Sequence, residues 1–220
     1  MSIAMEHVVL DKILETRVIA IVRGIPCSQI GALAAAIRDG GLCCMEVTFD
    51  HSSKEGIENT LDSIRLLKTQ FGNALCIGAG TVLSAEEVRQ AREAGAGYII
   101  SPNADEFVIR ETKRLGLVSI PGAMTATEIA YANQCGADLV KVFPAGVLGA
   151  DYIKAIRAPL NHISLTAVGG ITAQNAPAFL KAGAIGVGVG GNLVSPSLVA
   201  EGRFDQITQT AREYADAVRR

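Results

Sequence analysis

The sequence predicts an α/β protein folded as a closed (β/α)8 TIM barrel with an extra N-terminal helix. Three observations carry this. Eight short, β-branched apolar runs alternate with eight longer amphipathic stretches. The run starts lie roughly 20 to 32 residues apart, the length of one βα unit. The short runs are almost continuously apolar, as expected of parallel strands covered by helices. An open doubly wound sheet alternates in the same way, but eight evenly spaced units favour the barrel.

The elements follow in order. A helix near Met5–Thr16 precedes the first run, Val18–Arg23. Ile30, Leu33, Ala34 and Ile37 recur at helical spacing and stop at Gly40–Gly41, a residue type suited to the left-handed stop position. The second run is Leu42–Thr48. Ser52-x-x-Glu55 then predicts a capping box, and Gly72 the helix end. The third run is Ala74–Gly78, followed by Ser84-x-x-Glu87, a stripe of Val88, Ala91 and Ala94–Ala96, and Gly95. Tyr98–Ser101 leads to Asn103-x-x-Glu106 and Gly116. Leu117–Ile120 leads to Thr125-x-x-Glu128 and Gly136. Leu139–Phe143, Ser164–Gly169, Gly183 and Ile185–Gly190 complete the series. No linker or composition shift divides the chain, so residues 1–220 read as a single barrel domain.

Composition narrows the function classes. The chain has 220 residues, 49 % hydrophobic and 19 % charged, too apolar for disorder. A net charge of −2 and a pI of about 5.9 argue against a nucleic-acid binder. Aromatics are 5 % with no Trp, which disfavours a stacking surface for single strands. The five Cys (27, 43, 44, 76 and 135) include no CxxC, and the three His form no HxxxH. No zinc site or disulfide framework is expected, and the cysteines read as free thiols of a reducing cytosol. There is no signal-peptide pattern and no apolar run of membrane-spanning length. The expected location is cytoplasmic.

Barrel enzymes gather their chemistry at the C-terminal strand ends. Glu46 lies inside the second run, where alternation places Leu42, Cys44, Glu46 and Thr48 on one face, the barrel interior. A carboxylate there loses water and its pKa rises, which suits a general acid/base; a structural carboxylate paired with a buried cation is the other reading. Lys141 is the one Lys of seven set in an apolar strand-like run. Burial lowers an ammonium pKa, and a partly neutral amine can attack a carbonyl to form a Schiff base; a purely structural partner for Glu46 is the alternative. Arg23 closes the first run and suits a carboxylate or phosphate. Thr81 offers a hydroxyl just past the third run. Gly78-Ala-Gly80 lacks a full dinucleotide fingerprint, which discounts a Rossmann reading. Gly169-Gly170 and Gly190-Gly191 end the seventh and eighth runs, where barrels often bind phosphate through backbone N–H groups; tight βα turns would use the same glycines.

Glu46-Val-Thr48, Gly78-Ala-Gly-Thr-Val82, Ser101-Pro102, Pro121-Gly122, Lys141-Val-Phe-Pro144 and Gly169-Gly-Ile171 occur in this order along the chain. In this combination the chain resembles the 2-keto-3-deoxy-6-phosphogluconate (KDPG) / 4-hydroxy-2-oxoglutarate (KHG) aldolases over about residues 5 to 215. The resemblance implies a class I, metal-independent aldolase with no cofactor. It implies Lys141 as Schiff-base lysine and Glu46 as general acid/base. It implies Arg23, Thr81, Pro102 and Val168 around substrate, and Gly169, Gly170, Gly190 and Gly191 around phosphate. A cytoplasmic homotrimer acting on a small keto-acid phosphate, with no nucleic-acid or membrane partner, is likewise implied.

Three positions depart from the family pattern. Asp50 stands where some members carry a pyruvate-contacting Arg, which shifts carboxylate binding onto Arg23, Thr81 and backbone N–H. Ala167-Val168 replaces the Pro-Thr of gluconate-type members and resembles galactonate-type ones. Gly191 replaces a frequent Ser. The expected reaction is cleavage of a 2-keto-3-deoxy-6-phospho sugar acid, of the gluconate or galactonate type, to pyruvate and glyceraldehyde 3-phosphate. Val168 cannot hydrogen-bond a substrate hydroxyl, which leans toward the galactonate epimer. Cleavage of 4-hydroxy-2-oxoglutarate to pyruvate and glyoxylate is the alternative within enzymes. A non-catalytic phosphate-ligand-binding barrel is the alternative from another class.

Overall fold

Parallel strands wind around a barrel whose lower end is stopped by a helix. The computed structural model describes residues 2–219, with side chains from residue 6 onward. The elements are α1 (Ser2–Thr16), β1 (Val18–Val22), α2 (Cys27–Asp39), β2 (Cys44–Thr48), α3 (Lys54–Phe71), β3 (Cys76–Gly80), α4 (Ala85–Ala94), β4 (Tyr98–Ile100), α5 (Glu106–Arg114), β5 (Val118–Ile120), β6 (Gly122–Ala123), α6 (Ala126–Gln134), β7 (Val140–Val142), α7 (Ala145–Leu148), α8 (Ala150–Arg157), β8 (Leu165–Val168), α9 (Ala176–Lys181), β9 (Gly186–Val189), α10 (Pro196–Ala200) and α11 (Phe204–Arg219).

The sheet order is β5-β4-β3-β2-β1-β9-β8-β7-β6. Its two ends, β5 and β6, are one strand interrupted at Pro121, which has no N–H to give to a ladder. The first half pairs with β4 and the second with β7. The expected eight-stranded barrel is therefore present, with its fifth strand split. The Pro121 carbonyl still accepts from the Lys141 N–H at 2.8 Å, so the split strand fixes the backbone that carries Lys141.

Alternate strand residues form two cores. Ala20, Val22, Met45 and Val47 face outward against the helices. Ile19, Cys44, Tyr98, Ile100, Val118 and Ile120 fill the interior, and Ile13 of α1 plugs it from below. Ile30, Leu33, Ala34 and Ile37 are all buried on α2, as are Val88, Ala91 and Ala94 on α4.

Four local expectations are corrected. The third strand begins at Cys76, two residues late, because Ala74 still closes the α3 turn by donating to the Phe71 carbonyl. Leu42 packs in the outer core, since its N–H bonds back to Ile37 and the strand starts only at Cys44. Ser53, not Ser52, caps α3, because the Ser52 N–H is held by Asp50 Oδ1 at 3.0 Å. Asp105, not Asn103, caps α5, accepting from two backbone N–H groups. Thr125 and Glu128 form the full reciprocal capping box expected of them.

Candidate active site

Glu46 sits in the middle of β2 and points into the barrel with only 2 % of its surface exposed. Space for it comes from the neighbouring strand. A Cβ on Gly80 would lie 2.6 Å from Glu46 Oε2, and one on Gly78 would lie 2.2 Å from the Tyr98 ring. Gly78-Ala-Gly80 is thus neither a turn nor a phosphate cradle. Its two interior-facing glycines leave room for a carboxylate and a phenol ring. Glu46 Oε2 has no hydrogen-bond partner among the protein atoms. Burial pushes its carboxyl up to about 7, against the opposing charges of Lys141 and Arg23.

Lys141 lies on β7, in register with Gly122 on one side and Thr166 on the other. It is 8 % exposed. Burial lowers its pKa, the Glu46 charge raises it, and Arg23 lowers it further. Each group's charge therefore favours the charged form of the other, against the burial that both undergo. A cavity of about 10 Å³ has Glu46, Lys141, Ile100, Ile120, Thr166 and Val168 in its wall. The structure thus brings together three of the residues singled out from sequence: Glu46, Lys141 and Val168.

The remaining candidates stand outside that cavity, at the same barrel end. Arg23 and Thr81 each follow a strand by one residue, and Arg23 Nη2 donates to Thr81 Oγ1 at 3.2 Å. Thr81 holds φ +57, a left-handed conformation uncommon for Thr. Pro102 is exposed, and its carbonyl lies where a Cβ on Gly122 would approach to 2.3 Å. It packs on β6 and is absent from the cavity wall. Gly169-Gly170 and Gly190-Gly191 lie side by side, because β8 and β9 pair with Val168 opposite Gly188. Gly169 and Gly170 both adopt positive φ, at 92° and 72°.

Sequence reasoning missed several supports. The Phe143 ring centroid lies 5.0 Å from Lys141 Nζ; the i, i+2 spacing on one strand face was the available signal. Asn175 Nδ2 donates to the Gly170 carbonyl at 3.0 Å, and Asn192 Nδ2 to the Ile171 carbonyl at 2.9 Å. These side chains fix the two glycine loops. Among the described residues, no three His, Cys, Asp or Glu side chains converge as a metal site would require.

The sequence pattern of the KDPG and KHG aldolases matches residues 9–210. The chain belongs to this aldolase family. The 2-dehydro-3-deoxy-6-phosphogalactonate aldolase of Escherichia coli is 34 % identical, over 91 % of this chain and 95 % of that one. The 2-dehydro-3-deoxy-phosphogluconate aldolase of Treponema pallidum is 32 % identical, over 84 % and 86 %. A solved native KDPGal structure superimposes with TM-score 0.83 at 33 % identity, over 92 % of this aldolase and 94 % of that chain. A cube-shaped cage designed by fusing symmetric oligomeric domains gives TM-score 0.82 at 34 % identity, over 92 % and 72 %. Among the described residues, no helix of this aldolase is long and apolar enough to cross a membrane.

Proposed function

We propose that this single barrel domain cleaves a 2-keto-3-deoxy-6-phospho sugar acid to pyruvate and glyceraldehyde 3-phosphate. The observation that carries the reading is the buried Glu46–Lys141 pair, with the carboxyl raised to about 7 and the amine lowered. Lys141 Nζ attacks the C2 carbonyl, and loss of water leaves a protonated imine. Glu46, through one water, takes the C4 hydroxyl proton, and the C3–C4 electrons flow into the imine. Glyceraldehyde 3-phosphate departs and the enamine of pyruvate remains. Glu46 returns a proton to C3, and water releases pyruvate. A cavity of about 10 Å³ beside both groups is near the size one water needs.

Arg23 and Thr81, joined by their hydrogen bond, hold the keto-acid end, with Pro102 on the rim. The backbone N–H groups around Gly169, Gly170, Gly190 and Gly191 take the phosphate. Val168, in the cavity wall, gives a substrate hydroxyl no partner, and the galactonate epimer is the favoured substrate. The Escherichia coli relative acts, by its name, on that epimer.

The same proposal includes a cytoplasmic homotrimer. Phe107, Met124 and Val147 are exposed apolar side chains, of the kind a self-association face provides. A solved chain of similar fold belongs to a cage designed by fusing symmetric oligomeric domains. Five cysteines without a disulfide fit a reducing compartment. Comparing kcat/KM on the two phosphorylated epimers and on 4-hydroxy-2-oxoglutarate tests the substrate. The galactonate epimer should lead, and equal use of the unphosphorylated acid would overturn the phosphate assignment.

A further inference from the structure

At the barrel end opposite Glu46 and Lys141, a cavity of about 520 Å³ opens between the last turn of α1, the start of β1, the turn into β2 and the end of α11. That volume lies in the range of small-molecule sites. None of the groups assigned to the aldol chemistry lines it.

Cys43 is half-buried in its wall. Its sulfur lies 2.8 Å from Thr16 Oγ1, and the Cys44 sulfur is 3.7 Å from the same hydroxyl. Hydrogen bonding from Cys44 and Thr16 and the charge of Lys12 bring the Cys43 thiol down to about 6, against burial and the charge of Glu15. The wall carries three cations, Lys12, Arg17 and Arg219, and one acid, Glu15. Arg17 is anchored by donation to the Val218 carbonyl at 3.3 Å. Lys12 donates to the Asn73 carbonyl, and Arg219 faces Asp216 at 3.6 Å. A nucleophilic sulfur thus shares a roomy cavity with an excess of positive charge.

We propose that this cavity is a thiol-modification site at which Cys43 takes up half of an anionic, carboxylate-bearing disulfide of low molecular weight. The Cys43 thiolate attacks one sulfur of the disulfide. That S–S bond breaks, a Cys43–S bond forms, and the other half leaves as a thiolate that takes a proton from water. The incoming disulfide supplies the oxidising equivalents. Lys12, Arg17 and Arg219 attract its carboxylates. Cys27, the other half-buried thiol, lies outside the cavity and serves as the internal reference.

The test uses the whole protein and two reagents, oxidised glutathione and the neutral bis(2-hydroxyethyl) disulfide. Peptide mapping by mass spectrometry locates the adduct, and its rate of formation is followed with each reagent. Glutathionylation should fall on Cys43 ahead of Cys27 and vanish in Cys43→Ser, a variant that keeps aldolase activity. The preference for glutathione disulfide over the neutral reagent should drop roughly tenfold in Lys12→Gln/Arg219→Gln, as expected for loss of electrostatic steering. Equal labelling of Cys27, no mixed disulfide at Cys43, or an unchanged preference in the double variant would each overturn the proposal. If Cys43→Ser fails to fold, the wild-type map and the double variant still decide.

Discussion

A methyl group at Gly80 would lie 2.6 Å from Glu46 Oε2, so the carboxylate occupies space that a side chain on the adjacent strand would fill. Position 80 is therefore a packing determinant of the site, two residues beyond Gly78, the register partner of Glu46. Gly80→Ala should displace Glu46 and lower kcat/KM on the order of 100-fold, the scale of a 1 Å misplacement of a reacting group. Steady-state kinetics with a circular-dichroism check of folding measures it. Full activity in a folded variant would show that Glu46 does not need its present position.

The pH dependence has a definite sign. Glu46 moves from the ordinary 4.5 to about 7 on folding. Between those values the folded protein binds more protons than the unfolded chain, so this group lowers stability as pH rises from about 4.5 to about 7. The size is about 3 kcal/mol. Glu46→Gln should remove that loss and gain stability relative to the wild type as pH passes from 5 to 8, in urea unfolding at each pH. Lys141, with its pKa lowered, acts in the opposite sense at alkaline pH. Activity should fall on acidification through about 7, as Glu46 takes up a proton. A stability difference identical at pH 5 and pH 8 would contradict the buried-carboxylate account.

Val168 is 5 % exposed and lines the same cavity as Lys141. Val168→Thr adds a hydroxyl there and should shift the gluconate-to-galactonate ratio of kcat/KM roughly tenfold, the effect of one hydrogen bond of about 1.4 kcal/mol. An unchanged ratio removes the case for Val168 as the epimer discriminator.

Gly191 has open space around its would-be Cβ. Gly191→Ala should therefore fold normally while holding a phosphate away from the backbone. KM for the phosphorylated substrate should rise about tenfold, with KM for 4-hydroxy-2-oxoglutarate unchanged. Equal changes in both would place the phosphate elsewhere.

Much of this architecture is legible in the sequence because parallel strands and their helices obey simple periodicities. Glu46 and Lys141 stand out as charges inside apolar runs, and strand alternation turns Glu46 inward, whereas the inward direction of Lys141 is seen only in the structure. The role of Gly78 and Gly80 was illegible, since a missing side chain acquires meaning only when Tyr98 and Glu46 are known to flank it. The split of the fifth strand follows from Pro121, but two pairing partners are needed to see it. The cavity around Cys43 draws on residues from both ends of the chain, and no local pattern announces that meeting. Ser52 and Asn103 misled because Ser53 and Asp105 beside them offered equally good caps.

Reductive trapping tests the central claim most directly. The protein is mixed with pyruvate and borohydride, and the adduct is located by mass spectrometry. An imine at Lys141 would be frozen as a stable secondary amine, absent in Lys141→Ala, and that is the expected result. A folded protein that yields no adduct, or one at another lysine, would contradict the assignment of Lys141 as the nucleophile.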